Sequence, residues 1–445
     1  MHAAPLDPAL GSDPDHLFQR IRTLGPHAFW LDSGASFEGR HGKWWAMGAD
    51  PREVHSVSSG GSDCPFDLVA SLAGSRGSLD LPEGLPVPLT VGYLSYDAGR
   101  HADRIPVPAA DPLGMADGWW ACHGAVVVGR VGETGAWIVG ESEESVSELQ
   151  RRLQDSSPQK PGDVRLVSAP RTATDDDVYK AGVRRVLDYI RAGDVYQANI
   201  ARRFSAELAQ GADPVALFLR LRAVSEAPFS AYLDSGDHQI LSASPECFVR
   251  WDASGGIASW PIKGTRRRGA DPLDDRIQSE SLRQDPKELA EHIMIVDLIR
   301  SDLGRIAQTG TVDVGVPWEV ETFPALHHLV SCVSGTLRSD LGVADMLRAL
   351  FPGGSITGAP KIRACEVIAE IEGERRGVYC GALGYLDARG GGCLNIPIRT
   401  GVIQGTMLTW HAGGGIVADS DPEQERLEAQ LKATGWTRAL LSGAS

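Results

Sequence analysis

The chain has 445 residues, 42% of them hydrophobic and 23% charged, enough apolar content to bury a large core and to exclude a disordered chain. Acidic residues outnumber basic ones 58 to 43, for a formal charge of −15, which argues against a generalised nucleic-acid surface because that requires clustered Lys and Arg. The longest basic run, Arg266-Arg267-Arg268, stops at Gly269, and no stretch approaches the roughly 18–20 apolar residues of a membrane helix.

Met1 to Leu10 has no positive start followed by an apolar run, so no secretory leader is expected. The seven cysteines stand singly, without a Cys-x-x-Cys pair, a usage that fits reduced thiols and a cytoplasmic enzyme. In the N-terminal third, Gly, Asp and Pro bound short apolar runs at residues 44–47, 89–94 and 125–128, which read as strands joined by turns. Residues 154–172 shift to Asp, Ser, Pro, Gln and Lys and form the expected linker between an N-terminal region, 1–153, and a second region, 173–445.

A helix is expected after an N-cap at Thr174, with Asp175, Asp176 and Asp177 in its first turn and Val178, Val186 and Ile190 on its packing face. Strands are expected over 195–204 and 240–251. One helix is expected over 282–305, with Leu289, Ile293 and Val296 on one side, and another over 360–372. Strand-like runs at 381–386, 393–403 and 407–411 precede a polar helix over 421–441. Strands and helices mix without regular β-α alternation, which predicts an α+β fold with mainly antiparallel sheets.

Four constellations could carry chemistry. Glu246 starts one strand-like run and Lys263 ends the next, with a Ser254-Gly255-Gly256 turn between them, so a hairpin could bring them together. A lysine beside Trp260 and Ile262 could then act as nucleophile with a carboxylic acid as proton donor; a surface salt bridge is the alternative. Glu288 and Glu291 share a helix face at i, i+3, and Glu425 and Glu428 repeat that spacing. These four would hold a hard divalent cation such as Mg2+ through oxygen, or merely line a solvated acidic face. Phe351 to Lys361 is a glycine-rich loop entering a helix and could present backbone N–H groups to an anion, although Ala359-Pro360 stands where a P-loop requires Lys-Ser/Thr. Finally, Gly413, Gly414 and Gly415 follow a strand and could let backbone approach a ligand, while Arg399, in an apolar run, needs an anionic partner from the core or from a substrate.

Taken in order, SPECF, PIKGTRRRG, ELAEHIMIVDLIRSDLGR, HHLVS, FPGGSITGAPK, GYLD, IRT and GGGIVADSDPEQE resemble the chorismate-binding family, which includes anthranilate, aminodeoxychorismate, isochorismate and salicylate synthases. These strings cover most of 175–440, with a weaker likeness at Leu31–Gly34 and Gly92–Arg100. The resemblance implies the anthranilate synthase component I-like fold: two interleaved subdomains, antiparallel sheets packed face to face, helices outside, and an active site in the cleft. It also implies Mg2+ on Glu291 and Glu428 with Glu288 and Glu425 close by. Tyr379, Arg399, Gly413 and Gly415 would hold the enolpyruvyl carboxylate of chorismate; Gly264, Thr265, Thr357 and Lys432 would complete the anion site, with His328 near the C4 oxygen.

Within the family, lysine in PIKGT is common where chorismate is aminated at C4, and alanine where it is aminated at C2. Members that add water at C2 tend to have a lysine where Gln197 stands. The resemblance therefore implies Lys263 as covalent nucleophile, Glu246 as general acid and ammonia as the second substrate. None of the cysteines sits in a Gly-x-Cys-x-Gly elbow, Ala121-Cys122-His123-Gly124 being nearest, so ammonia is expected from a separate glutamine amidotransferase subunit. Partners of nucleic-acid or membrane type are not expected.

Overall fold

The computed structural model describes residues 1–445 except 12, 35–41, 316, 323–325 and 443–445. Among the described residues two large sheets and one small one carry the fold, and every pairing between their strands is antiparallel. The largest, of 12 strands, has Phe29–Asp32, Phe229–Asp234, Gln239–Ser244 and Thr400–Gln404 at its centre. It closes on one side with Met407–Ile416, Gln197–Glu207 and the short Gly358–Ala359. The second, of nine strands, is centred on Cys247–Trp251, Gly392–Asn395, Ala382–Leu386 and Thr90–Leu94.

The N-terminal third is woven into both sheets, since Phe29–Asp32 pairs with Phe229–Asp234 and Thr90–Leu94 pairs with Ala382–Leu386. Between the sheets, Phe29, Leu31 and Val402 meet Val91, Tyr93 and Trp119 in one apolar layer. On the outer face of the large sheet, Trp30, Phe204 and Trp410 pack against Phe18, Phe218 and Trp436 from three helices. This is the α+β architecture of two interleaved subdomains, with sheets face to face and helices outside. Residues 156–170 hold no helix or strand, but Val164 joins the outer core and Leu166 bridges to Leu208.

Several expected elements shift. The helix of the second region is Asp176–Ala192, capped by the Asp175 carboxylate rather than by Thr174. Its buried face is Tyr179, Val183, Val186 and Leu187, while Val178 is 61% exposed. Asp285 and Pro286 divide the expected 282–305 helix into Pro272–Arg283 and Pro286–Gly304, because Asp285 caps a new helix whose first residue is proline. The second of these buries His292, Ile295, Val296 and Ile299, leaving Ile293 48% exposed. Residues 240–251 form two strands, Gln239–Ser244 and Cys247–Trp251, which belong to different sheets. Likewise 393–403 splits into Gly392–Asn395 and Thr400–Gln404, so Arg399 lies in the link and not in a strand. The glycine run does not follow a strand but lies inside one, Met407–Ile416.

A candidate active site at the sheet junction

The hairpin expected from sequence exists: Cys247–Trp251 pairs with Gly256–Trp260, with Cys247 opposite Trp260. At Pro261 the chain leaves that sheet, and Ile262–Arg267 pairs instead with Leu326–Val330. Lys263 faces Leu329 and Thr265 faces His328, so Gly264 is the bulged residue. Its φ of +68° lies in the left-handed region, which glycine adopts without Cβ strain. A Cβ at that position would also press on Leu282 at 2.9 Å and on Glu288 Oε2 at 3.2 Å. The bulge therefore sets Lys263 beside the carboxylates, with its Nζ 3.8 Å from Glu291 Oε2.

Glu246 stands at the head of the same hairpin and is only 4% exposed. Burial pushes its carboxyl up to about 7, against the opposing pull of Ser355, Lys263 and the Ile262 backbone amide. A carboxyl poised there carries its proton at neutral pH about as often as not, the condition for an effective general acid.

His328 is buried, with Nδ1 3.1 Å from Thr265 Oγ1 and 3.2 Å from the Gly264 carbonyl oxygen. Burial and the neighbouring Arg399 cation bring its pKa down to about 3, so the ring is neutral at physiological pH. Arg399 has a φ of +52°, and burial lowers its pKa without any carboxylate partner among the described residues to oppose this. Of the two partners its sequence left open, a core carboxylate is not found among the described residues.

On the opposite strand, a Cβ on Gly413 would collide with the Ile200 carbonyl, and one on Gly415 would strike the Gln197 amide and stand 3.2 Å from Lys263 Nζ. Both glycines are required by close approach, the first of backbone and the second of side chains. Lys432 Nζ donates to the Gly413 carbonyl at 2.9 Å and pairs with Glu428 at 2.7 Å.

Two of the expected substrate contacts are engaged with protein neighbours of their own. The Thr357 hydroxyl is buried and donates to the Gly353 carbonyl at 2.9 Å, holding its own loop together. Tyr379 is buried with its ring stacked on His411, centroids 5.0 Å apart. Among the described residues, no hydrogen bond or ion pair joins either residue to Lys263. Two further residues emerge only from the structure. Gln197 is fully buried next to Gly415, and neither atom of its amide group has a hydrogen-bond partner among the described residues. Ser355 lies beside Glu246. Gln197 stands out in the sequence only because it is not lysine, and nothing in the Gly353-Gly354-Ser355 string marks the serine.

The four glutamates form two pairs, one on Pro286–Gly304 and one on Pro422–Leu441, and Lys263 acts on Glu288, Glu291 and Glu428. Burial raises the pKa of Glu288, and Glu291 adds to the rise; burial raises that of Glu425 too, with Glu428 adding to it. Glu428 is lowered instead, by Lys432 first and then by Lys263 and Lys287. Glu425 accepts from the Ser420 hydroxyl at 2.6 Å. The donors are all oxygen, mutually repelling and half-buried, which fits a hard divalent cation in type and placement. As the side chains stand, they turn toward Lys263, Lys432 and Ser420, and no three metal-binding side chains among the described residues close on one point.

A buried acid, a lysine facing paired carboxylates, and an arginine with no carboxylate partner among the described residues are groups suited to a small anionic substrate. The family model for chorismate binding enzymes matches residues 29–438. The chain is 40% identical over 358 residues to anthranilate synthase component 1 of Thermus thermophilus, covering 79% of this chain and 77% of that one. It is equally 40% identical over 339 residues to aminodeoxychorismate synthase component 1 of Escherichia coli, covering 76% and 74%. Its structure resembles anthranilate synthase component I of Streptococcus pneumoniae with a TM-score of 0.79 at 29% identity, covering 90% of this chain and 95% of that one. The chain belongs to the chorismate-binding enzyme family and is a chorismate-utilising enzyme. Among the described residues no helix is long and apolar enough to cross a membrane.

Proposed function

We propose that this enzyme is an aminodeoxychorismate synthase component I, converting chorismate and ammonia to 4-amino-4-deoxychorismate and water. The observation that carries the reading is Lys263, placed by the Gly264 bulge between Glu291, Gly415 and the buried Glu246. Identity to the relatives cannot choose between amination at C4 and at C2, since both kinds match at 40%. A primary amine at the centre of the site can choose, because an alanine there would leave C2 open to ammonia.

The Lys263 amine attacks C2, the ring double bonds shift, and the C4–O bond breaks as Glu246 delivers its proton, releasing water. Ammonia then attacks C4, the double bonds shift back, and the C2–nitrogen bond breaks to free Lys263. Glu246 recovers a proton from the incoming nitrogen. Tethering gives the lysine an effective concentration that free ammonia does not match. Arg399 and the backbone at Gly413 and Gly415 receive the enolpyruvyl carboxylate, with Tyr379 beside it, while Gly264, Thr265, Thr357 and Lys432 bound the rest of the anion site. Neutral His328 sits by the C4 oxygen. A Mg2+ ion held by Glu291 and Glu428, with Glu288 and Glu425 nearby, would neutralise the ring carboxylate of chorismate. Ammonia would come from a separate glutamine amidotransferase subunit, a division of labour that the name component 1 of the relatives supports.

Lys263→Ala tests the reading, with ammonium salt and Mg2+ supplied directly. It should lose most 4-amino-4-deoxychorismate synthesis while keeping chorismate affinity, and surviving amination should shift toward C2, giving 2-amino-2-deoxyisochorismate or anthranilate. Product identification by mass spectrometry and chromatography decides. An alanine variant making the 4-amino product at the wild-type rate would show that Lys263 is no nucleophile.

A further inference from the structure

Behind the Glu246 carboxyl lies a small cavity of about 10 Å³, bounded by Glu246, Ser259, Asp302 and Ser355 and by apolar Phe248 and Ile396. That is room for one water molecule, and a buried water needs two to four polar partners. Ser355 is buried, with its hydroxyl near enough to Glu246 to lower that carboxyl's pKa but in hydrogen-bond geometry with no group among the described residues. The Ser259 hydroxyl donates to the Phe248 carbonyl at 2.6 Å, which leaves its own oxygen able to accept. Asp302, also buried, lies 2.6 Å from Lys361 Nζ and 3.9 Å from Arg305, so the cavity faces a carboxylate already paired with cations.

We propose that this cavity is a binding site for one water molecule that serves Glu246, with Ser355 and Asp302 as its positioning residues. The inference rests on Glu246 acting as the proton donor. In the protonated state the Glu246 hydroxyl is free to face the C4 oxygen, while the water accepts from the Ser355 hydroxyl and donates to the Asp302 carboxylate and to Ser259. When the proton passes to the departing C4 oxygen, a carboxylate remains in a buried site. Ser355 then donates to it directly, and the water turns a hydrogen toward it. Both interactions strengthen only as charge develops, the condition for lowering a barrier rather than tightening the ground state. When the carboxylate takes a proton from the incoming ammonia nitrogen, the original arrangement returns and no outside proton is needed. The other ionisable groups facing Glu246 are Lys263 on the cleft side and the adjoining thiols of Cys247 and Cys380.

A crystal structure of the full chain, at a resolution that shows ordered water, should place one water within hydrogen-bond distance of Glu246, Ser355 and Asp302. Ser355→Ala, checked for folding by its circular dichroism and melting curve, should lower kcat about 10- to 100-fold while KM for chorismate holds within about twofold. The alkaline limb of its kcat profile should move to higher pH, because a donor to the carboxylate has been lost. A purely structural serine would not move that limb. A dry cavity, or wild-type kcat with an unmoved limb, overturns the proposal. Glu246→Gln measured alongside separates the two claims. If Glu246→Gln is inactive while Ser355→Ala is unaffected, only the water site is lost. If Glu246→Gln turns over at the wild-type rate, the acid assignment fails with it.

Discussion

Around Glu246, Lys263 and His328, burial tunes proton affinity and orientation: Glu246 is buried with its carboxyl pushed up to about 7, and His328 is held neutral and anchored through Nδ1. The four glutamates are a group of another kind. Glu288 and Glu291 project from one helix and Glu425 and Glu428 from another. Burial and the neighbouring glutamate raise the pKa of Glu288 and of Glu425, and the carboxylates borrow Lys263, Lys432 and Ser420 as partners. The first group is buried, so burial itself tunes it. The second is half-open, and its charges repel unless a cation is added. Pre-organisation by desolvation needs no ligand, whereas pre-organisation of like charges does.

The sharpest way to break this contrast is Glu246→Gln. It should cost about 10²- to 10⁴-fold in kcat whatever the Mg2+ concentration, because the acid does not depend on the metal. Steady-state rates with ammonium as nitrogen source measure it, and rescue by added Mg2+ would merge the two groups into one. Next in size, Glu291→Gln and Glu428→Gln should each lose about 10²-fold or more in turnover while folding normally. In the wild type, Mg2+ should raise the melting temperature and EDTA should abolish turnover; neither variant should show the full Mg2+ shift. Full activity in EDTA would sink the metal site.

A third test uses pH and stability. The Glu246 carboxyl has an ordinary value of 4.5 when unfolded and about 7 when folded, so the folded state holds the proton more tightly. Below 4.5 both states are protonated and the group costs nothing. As pH rises through 4.5 to 7 the unfolded state ionises first, and folding stability falls by on the order of 3 kcal/mol before levelling off. Glu246→Gln removes this dependence, so urea titrations at pH 5 and pH 8 should show the variant gaining on the wild type by about that amount. An equal gap at both pH values would place the Glu246 carboxyl in water. The smallest effect lies on the metal-side helix itself. Ile293→Ser, on its exposed face, should change stability by less than about 0.5 kcal/mol. Ile295→Ala, two residues on and fully buried, should cost about 2–5 kcal/mol in the same titration.

Much of the site is legible in the order of residues along the chain. The i, i+3 glutamates are a local property of a helix, and the hairpin between Glu246 and Pro261 follows from two apolar runs around a Ser-Gly-Gly turn, although Lys263 itself lies beyond it on a strand of another sheet. Glycine and proline also announce most element ends, since their backbone limits act within a few residues. The misplacements have local causes. Asp285-Pro286 is a start signal inside an apolar pattern, and the buried faces of the Asp176–Ala192 and Pro286–Gly304 helices include neighbours of the residues expected there.

Sequence alone determined the fold class, the family and the residue types of both groups, because helix periodicity, turn chemistry and motif strings are encoded over short stretches. Only the tertiary structure decided that Gly264 bulges to aim Lys263, that Arg399 has no carboxylate partner among the described residues, and that Gln197 and Ser355 belong to the site. It alone set the Glu246 carboxyl near 7, since that value is the sum of burial, the pull of the Ser355 hydroxyl, the Lys263 charge and the Ile262 backbone amide, which the chain brings close only on folding. Desolvation and distance are properties of packed neighbours, and no window of sequence contains them.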